Sequence, residues 1–198
     1  PEPDRAIVRL ERLLEALPSG INLFRLLEAR PGLLEQLMAI VTLAPPLADD
    51  LARRPALFDA LIDRSAHDLP ESVPALQRAM QRAEPRGNYE ALLDRIRVVT
   101  GEARFALGVQ LITGTHDPLD IAHGFAIVAE AALQTALAGT VAEFAKAHGT
   151  IEGSEMVILG LGRLGGEALT HASDLDIIYL FTGDHGAESD GERPLSAT

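Results

Sequence analysis

The sequence of 198 residues contains no cysteine and no tryptophan, and aromatic residues make up only 4% of it. The absence of cysteine excludes disulfide bonds and thiolate metal sites. Basic residues are also scarce, because 17 lysines and arginines stand against 29 acidic residues and leave a formal net charge of −12. Proteins that bind nucleic acids normally carry a basic surface, so this charge disfavours a nucleic-acid partner.

The sequence shows no secretory signal peptide and no run of about 18 apolar residues. We therefore expect a cytoplasmic protein that does not bind a membrane. Hydrophobic residues nevertheless make up 47% of the chain, and alanine and leucine dominate among them, which favours helix-on-helix packing. The chain begins at Pro1 and not at a methionine, which is typical of a fragment.

Residues 4 to 153 show the periodicity of amphipathic helices. Asn88 is predicted to cap a long helix that ends near Leu111. Asp117, followed by a proline that suits the first helical position, is predicted to cap the next helix, and Gly149 to end it. This pattern predicts a mainly α protein with an N-terminal helical bundle.

The last quarter of the chain departs from the helical pattern. Two short apolar runs, Met156 to Leu159 and Ile177 to Phe181, are predicted to be strands. The sequence then becomes rich in Gly, Asp, Glu and Ser, which is typical of a loop or a flexible, disordered tail. We expect a helical region over residues 1–113 and a partial second domain over residues 114–198.

A glycine-rich turn and an Asp-x-Asp pair lie between the two apolar runs, in the segment GLGRLGGEALTHASDLDIIYLF from Gly160 to Phe181. Carboxylates at positions i and i+2 of a strand point to the same face, about 6.5–7 Å apart. Asp174 and Asp176 are therefore candidate catalytic residues that share a divalent cation. Such a cation would stabilise the charge that develops when a phosphoryl group is transferred.

The residues around this pair are candidates for binding a nucleotide. Gly162, Gly165 and Gly166 would let backbone N–H groups approach phosphates with no Cβ in the way. Ser173 is interpreted either as a phosphate ligand or as a cap of the turn. Arg163 is interpreted either as a phosphate ligand or as a solvated side chain.

Three neighbouring residues have a structural interpretation. Glu167 is a candidate for the first residue of a short helix whose dipole would favour a phosphate. Tyr179 alternates with apolar strand residues and is predicted to lie in the core. His171 is interpreted as a surface residue.

The turn also contains the G-x-G-x-x-G pattern of dinucleotide-binding proteins, from Gly160 to Gly165. A dinucleotide fold needs parallel strands joined by about 10–12 residues or more. Only Glu167 to Ser173 separate Gly166 from Asp174. The spacing favours a metal-binding Asp-x-Asp strand, and a dinucleotide-binding protein is an alternative.

The order of strand, glycine-rich turn, short helix and Asp-x-Asp strand resembles the polymerase-β-like palm of nucleotidyltransferases. The segment LGRLGGEALTHASDLDIIYLF is similar in sequence to a segment of the glutamine synthetase adenylyltransferase family. These bacterial enzymes have two related halves, one that attaches AMP to glutamine synthetase and one that removes it. LERLLEALPSGINLFRLLEARPGLLEQL, LADDLARRPALFDALID and Thr170 resemble the start of the C-terminal, adenylylating half.

The resemblance implies an α+β palm after the helical bundle, with ATP as substrate and a two-ion Mg²⁺ site. It also implies transfer of AMP to a tyrosine hydroxyl of glutamine synthetase, in the regulation of nitrogen assimilation, under control of a PII-type signalling protein. The adenylyl-removing half of the same family is one alternative. A noncatalytic helical interaction module is another.

Palms of this superfamily usually need a third carboxylate on a later strand. The D-x-R-L-R-P-like segment that carries it in the family is absent from this sequence. Asp184, Glu188, Asp190 and Glu192 are further acids, but they lie in sequence without a strand pattern. We therefore expect a truncated catalytic domain that is inactive by itself.

Overall fold

The computed structural model describes residues 3–16, 20–62, 68–82, 88–184 and 186–196. The helices in this part of the chain are α1 Pro3–Ala16, α2 Gly20–Ala29, α3 Pro31–Leu43, α4 Pro45–Arg53, α5 Leu57–Ile62, α6 Val73–Met80, α7 Tyr89–Thr113, α8 Pro118–His148 and α9 Gly162–Gly165. The strands are β1 Glu155–Gly160 and β2 Ile177–Thr182. The prediction of a mainly α fold with a small β component is confirmed.

The first of two compact units consists of Pro1–Leu69 and Gly101–Gly124. Its core is a set of buried apolar residues that includes Leu13, Leu37, Ile40, Leu51, Phe58 and Phe105. α3 and α4 each begin at a proline, whose missing N–H is not needed in the first helical turn. Ala44 separates these helices with a non-helical φ of −128°, because the residue before a proline disfavours the helical conformation.

The second unit consists of Pro70–Thr100 and Phe125–Thr198. Its helical core holds Met80, Ile96, Val99 and Ala131. The unit also contains β1, α9 and β2, and therefore every residue that the sequence identifies as a candidate for catalysis or binding. The predicted boundary after residue 113 stays a prediction, since the helices on either side of it each contribute to both units.

The predicted starts of the two longest helices are confirmed. The side-chain oxygen of Asn88 accepts a hydrogen bond from the Ala91 N–H at 3.0 Å. Asp117 accepts one from the Leu119 N–H at 2.8 Å. Gly149 ends α8 with a φ of +72°, the left-handed conformation that glycine adopts without strain at a helix C-terminus.

β1 and β2 pair in an antiparallel sheet, with Glu155 opposite Thr182 and Gly160 opposite Ile177. A dinucleotide fold requires neighbouring strands that run parallel, joined by a crossover helix. The observed direction of β2 is the opposite. The G-x-G-x-x-G pattern therefore lies in a connection between antiparallel strands.

The segment after β2 is an irregular loop, as predicted, but residues 186–196 are bound to the end of α8 and do not form a disordered tail. The Asp190 carboxylate accepts a hydrogen bond from the Thr150 N–H at 2.7 Å. The Gly191 and Arg193 N–H groups donate to the carbonyls of His148 and Ala147 at 3.1 and 2.9 Å. The Gly191 and Arg193 bonds satisfy carbonyls that have no partner within a helix at its C-terminus.

α8 has a length and an apolar composition that would allow it to cross a membrane, with a mean hydropathy of 1.5 over its most apolar window. The same composition is typical of a core helix, and Ile121, Phe125, Val128 and Ala131 of α8 are buried. The prediction that the protein does not bind a membrane stays a prediction.

Candidate functional site

The connection between β1 and β2 begins with the one-turn helix α9. Leu161 precedes this helix in an extended conformation, and its carbonyl accepts a hydrogen bond from the Gly165 N–H at 3.0 Å. The short helix begins at Gly162 and not at Glu167, so the prediction for Glu167 is wrong. Glu167 follows the helix with a φ of +53°, a left-handed conformation that ends a helical turn.

Two glycines of the turn are required by local geometry. Gly162 has a φ of +53°, and a Cβ at this position would lie 2.7 Å from Oδ2 of Asp176. A Cβ on Gly165 would lie 2.6 Å from the carbonyl oxygen of Gly160. The absence of side chains therefore allows α9 to pack closely against the end of β1 and against Asp176. Contact of Gly162, Gly165 and Gly166 with a nucleotide stays a prediction.

Asp174 and Asp176 precede β2 and do not lie on it, since β2 begins at Ile177. The prediction that both belong to a strand is wrong, and the spacing of alternate strand residues does not apply to them. The backbone carbonyl of Asp176 still accepts a hydrogen bond from the Leu161 N–H at 2.8 Å, which continues the pairing of the strands by one step. Both carboxylates belong to exposed residues, so solvent and a diffusing ion can reach them.

Ser173 caps the turn that leads into the aspartates. Its hydroxyl oxygen accepts a hydrogen bond from the Thr170 N–H at 3.0 Å, and it lies 2.8 Å from the Thr170 hydroxyl. The Ser173 N–H donates in return to the Thr170 carbonyl at 3.1 Å. Of the two interpretations made from the sequence, these bonds favour the cap.

Arg163 and His171 differ in how exposed they are to solvent. Arg163 is an exposed residue of α9, where a guanidinium would remain available to a phosphate. His171 is half-buried and its ring meets the Phe125 ring edge to face, with centroids 6.2 Å apart. His171 therefore anchors the connection to α8 together with Leu169, which is 3% exposed, and is not a simple surface residue.

The apolar side chains of the sheet are exposed on both strands. Tyr179 is 59% exposed, so the prediction that it lies in the core is wrong. Val157, Leu159, Ile178 and Leu180 are also exposed, and the register places Val157 opposite Leu180 and Leu159 opposite Ile178. Apolar residues at consecutive strand positions are typical of a sheet covered on both faces, and the described part of the chain leaves these side chains uncovered.

Among the described residues, no group of three His, Asp or Glu side chains is placed to hold a metal ion. Two of the further acids have other partners: Asp190 accepts from the Thr150 N–H, and Asp184 accepts from the Gly186 N–H at 2.8 Å. Mg²⁺ in proteins is often held by one or two carboxylates together with waters and substrate phosphates. Asp174 and Asp176 are exposed carboxylates of the kind this smaller role needs, and metal binding by the pair stays a prediction.

Sequence reasoning missed the contacts that connect these residues. The Thr170–Ser173 pair has a sequence signal, because Ser and Thr commonly bond to nearby backbone groups in turns. The contact between Gly162 and Asp176 joins residues 14 positions apart, and no local pattern reveals it. The His171–Phe125 contact likewise depends on how the connection lies against α8.

Comparison with known proteins identifies the chain over most of its length. The family model "Glutamate-ammonia ligase adenylyltransferase" matches residues 34–198. The "bifunctional glutamine synthetase adenylyltransferase/adenylyl-removing enzyme" of Mesorhizobium japonicum is 40% identical over 195 residues, covering 98% of this chain and 20% of the relative. The corresponding proteins of Bradyrhizobium sp. and Brucella melitensis are 39% and 36% identical, again over 98% of this chain and 20% of each relative. The chain thus spans about a fifth of the length of these curated relatives.

Proposed function

Because the chain belongs to the glutamate-ammonia ligase adenylyltransferase family, we propose that it is part of an enzyme that transfers AMP from ATP to a tyrosine hydroxyl of glutamine synthetase. The relatives are named as enzymes that both add and remove adenylyl groups on glutamine synthetase. The observation that supports the proposal is the contact between Asp176 and the glycine-rich turn, since it places a candidate metal ligand beside a backbone that can approach phosphates. Glutamine synthetase regulation in nitrogen metabolism is the cellular role.

The proposed reaction is a displacement at the α-phosphorus of ATP. The tyrosine oxygen forms a bond to that phosphorus, the bond to the bridging oxygen of pyrophosphate breaks, and pyrophosphate leaves with the electron pair while the hydroxyl proton passes to solvent. Mg²⁺ would neutralise the charge that gathers on the phosphate oxygens. Asp174 and Asp176 would hold the ion, and their exposure leaves the remaining positions to substrate oxygens and water.

The turn residues contribute to the same step by orienting the triphosphate. The described structure gives no hydrogen-bond partner for the N–H groups of Gly162, Arg163 and Leu164 at the start of α9. Such groups are suited to phosphate oxygens. The Arg163 guanidinium would add a charged donor. Ser173 would act indirectly, by fixing the turn next to Asp174.

We assign the chain to the adenylylating half, on the wording of the sequence before the turn and on Thr170. The adenylyl-removing half performs phosphorolysis on the same kind of site, so the two assignments predict different substrates. Conversion of adenylylated glutamine synthetase by the parent enzyme, dependent on the aspartates of this segment, would favour the removing half. A PII-type protein as regulator and a cytoplasmic location are part of the proposal.

The first prediction tests the two aspartates by nucleotide binding. Asp174→Asn and Asp176→Asn should each weaken Mg²⁺-dependent binding of ATP by about 10-fold or more, because removal of a charged ligand costs a metal site about that much or more. Isothermal titration of the 198-residue chain with ATP, with Mg²⁺ and with EDTA, measures the effect. Asp49→Asn is the matched control, since Asp49 is an exposed aspartate on α4.

Three outcomes of this titration would contradict the proposal. Equal affinity in all three variants would remove the metal-binding role of the pair. Binding of ATP that does not depend on Mg²⁺ would do the same. Absence of nucleotide affinity in the wild-type chain, together with retained binding of a partner protein, would favour the noncatalytic helical module.

A further inference from the structure

Asp176 lies against two consecutive residues of the turn, through its backbone in one case and its side chain in the other. Its backbone carbonyl accepts the hydrogen bond from the Leu161 N–H at 2.8 Å. Its side chain lies against Gly162, where a Cβ would come within 2.7 Å of Oδ2 and 3.7 Å of Cγ. The carboxylate therefore occupies the space that any other residue at position 162 would fill.

The two points of contact differ in what a side chain at position 162 would change. The Leu161 bond uses only backbone atoms and would survive the substitution. The carboxylate is the free end of a short side chain, so it is the part that would move when a Cβ approaches. A Cβ contact below 3.0 Å requires such a movement. Asp174 has no such contact with Gly162 and would keep its position.

We infer that Gly162 is a positioning residue, whose missing Cβ provides the space in which the Asp176 carboxylate is held for a divalent cation. This inference rests on the proposed function, because it assumes that the cation binds at Asp176. This role of Gly162 differs from contact with a phosphate. Gly162 would affect cation binding by setting the position of the Asp176 carboxylate.

Gly153 supplies a matched control, because its backbone is left-handed like that of Gly162. Gly162→Ala introduces both a Cβ and the strain of an alanine at a φ of +53°. Gly153 has a φ of +70°, and a Cβ there would meet no atom within 4 Å. Gly153→Ala therefore introduces comparable strain next to β1 without touching a carboxylate.

The second prediction is tested first without metal, by the carboxyl carbon resonances of the ¹³C-labelled 198-residue chain. The Asp174 and Asp176 signals are identified by their loss in Asp174→Asn and Asp176→Asn. In Gly162→Ala we expect the Asp176 signal to move while the Asp174 signal stays, and in Gly153→Ala we expect both to stay. An unmoved Asp176 signal in Gly162→Ala would overturn the inference.

The second readout is binding of Mn²⁺, followed by its electron paramagnetic resonance signal. Gly162→Ala should weaken Mn²⁺ binding by about 10- to 100-fold, the usual effect of losing a group that orients a metal ligand. Gly153→Ala should leave it unchanged. If Asp176→Asn weakens Mn²⁺ binding and Gly162→Ala does not, the inference is overturned and the proposed function stands.

The reverse result separates the two ideas. If Gly162→Ala moves the Asp176 signal but Asp176→Asn leaves Mn²⁺ binding unchanged, Gly162 positions the carboxylate and the metal role in the proposed function is contradicted. Gly162→Asn serves in place of Gly162→Ala if the alanine variant does not fold. Asparagine tolerates a positive φ and still adds the Cβ, so the same shift of the Asp176 signal is expected.

Discussion

At the scale of single residues, the glycine-rich turn combines positions with different physical requirements. A Cβ on Gly165 would meet only backbone atoms, the carbonyl oxygen and carbon of Gly160 at 2.6 and 3.2 Å. A Cβ on Gly166 would make an ordinary contact of 3.4 Å with the Gly162 carbonyl oxygen, at a φ of −90° that alanine tolerates. Of these two adjacent glycines, only Gly165 is required by packing.

The third prediction uses these two adjacent glycines. Gly165→Ala should lower the free energy of unfolding by about 1–3 kcal/mol, the usual cost of overpacking where neighbours cannot shift. Gly166→Ala should leave it unchanged or raise it by up to about 1 kcal/mol, through lower entropy of the unfolded chain. Urea denaturation of both variants measures the difference, and equal losses would contradict the packing requirement of Gly165.

At the scale of elements, the segment after β2 binds the C-terminal end of α8. A helix C-terminus exposes carbonyls, and residues 190–193 supply the N–H groups that bind two of them. Gly149 and Gly191 lie so close at this point that a Cβ on either would clash with the backbone of the other segment. Residues 190–193 are therefore held against the end of α8 by hydrogen bonds and by close packing.

The fourth prediction tests this attachment. Asp190→Ala removes the acceptor of the Thr150 N–H and should speed amide hydrogen exchange at Thr150, Gly191 and Arg193. An increase of about fivefold corresponds to a net hydrogen bond of about 1 kcal/mol. Glu192→Ala is the control, because Glu192 is an exposed acid in the same segment. Equal exchange in both variants would show that Asp190 does not hold the segment.

At the scale of the whole molecule, the site has two carboxylates where transfer of a nucleotidyl group commonly involves more ligands. Among the described residues, no third His, Asp or Glu joins Asp174 and Asp176 in a group placed to hold a metal ion. The apolar side chains on the sheet are also exposed, with Val157 and Leu180 52% and 48% accessible. Both observations agree with a chain that covers 20% of its relatives' length.

The fifth prediction concerns activity of the 198-residue chain. Incubated with ATP, Mg²⁺ and glutamine synthetase, it should transfer no AMP above the rate without protein, because two carboxylates do not complete a two-ion site. Incorporation of radiolabel from [α-³²P]ATP into glutamine synthetase measures this, with the parent enzyme as the positive control. Normal turnover by this chain would show that its own residues complete the site.

Much of the helical part could be predicted from the sequence because its signals are local. Asn88, Asp117 and Gly149 have side chains or backbone preferences that act within a few residues of the helix end. The helix bounds they predict agree with the structure. The tail was harder to predict, because its hydrogen bonds join residues 190–193 to residues 147–150, and composition contains no information about such distant partners.

The candidate site shows the same division. The order of glycines and aspartates predicted which residues gather in the connection between the strands. The sequence predicts the start of the short helix too late, at Glu167, and predicts the aspartates on a strand that begins only at Ile177. Both predictions differ from the structure because helix and strand limits in a tight connection depend on packing against β1, which local propensity does not describe.

The sequence by itself determined the family, the mainly helical fold class and the identity of the candidate site residues, because these depend on residue types in a given order. Only the tertiary structure decided the antiparallel direction of β2, the exposure of Tyr179 and the contact of Asp176 with Gly162. Each of these depends on how residues distant in the chain meet. In the sequence, Gly162 is one of several candidates for binding a phosphate. In the folded chain, its missing Cβ leaves the space in which the Asp176 carboxylate lies.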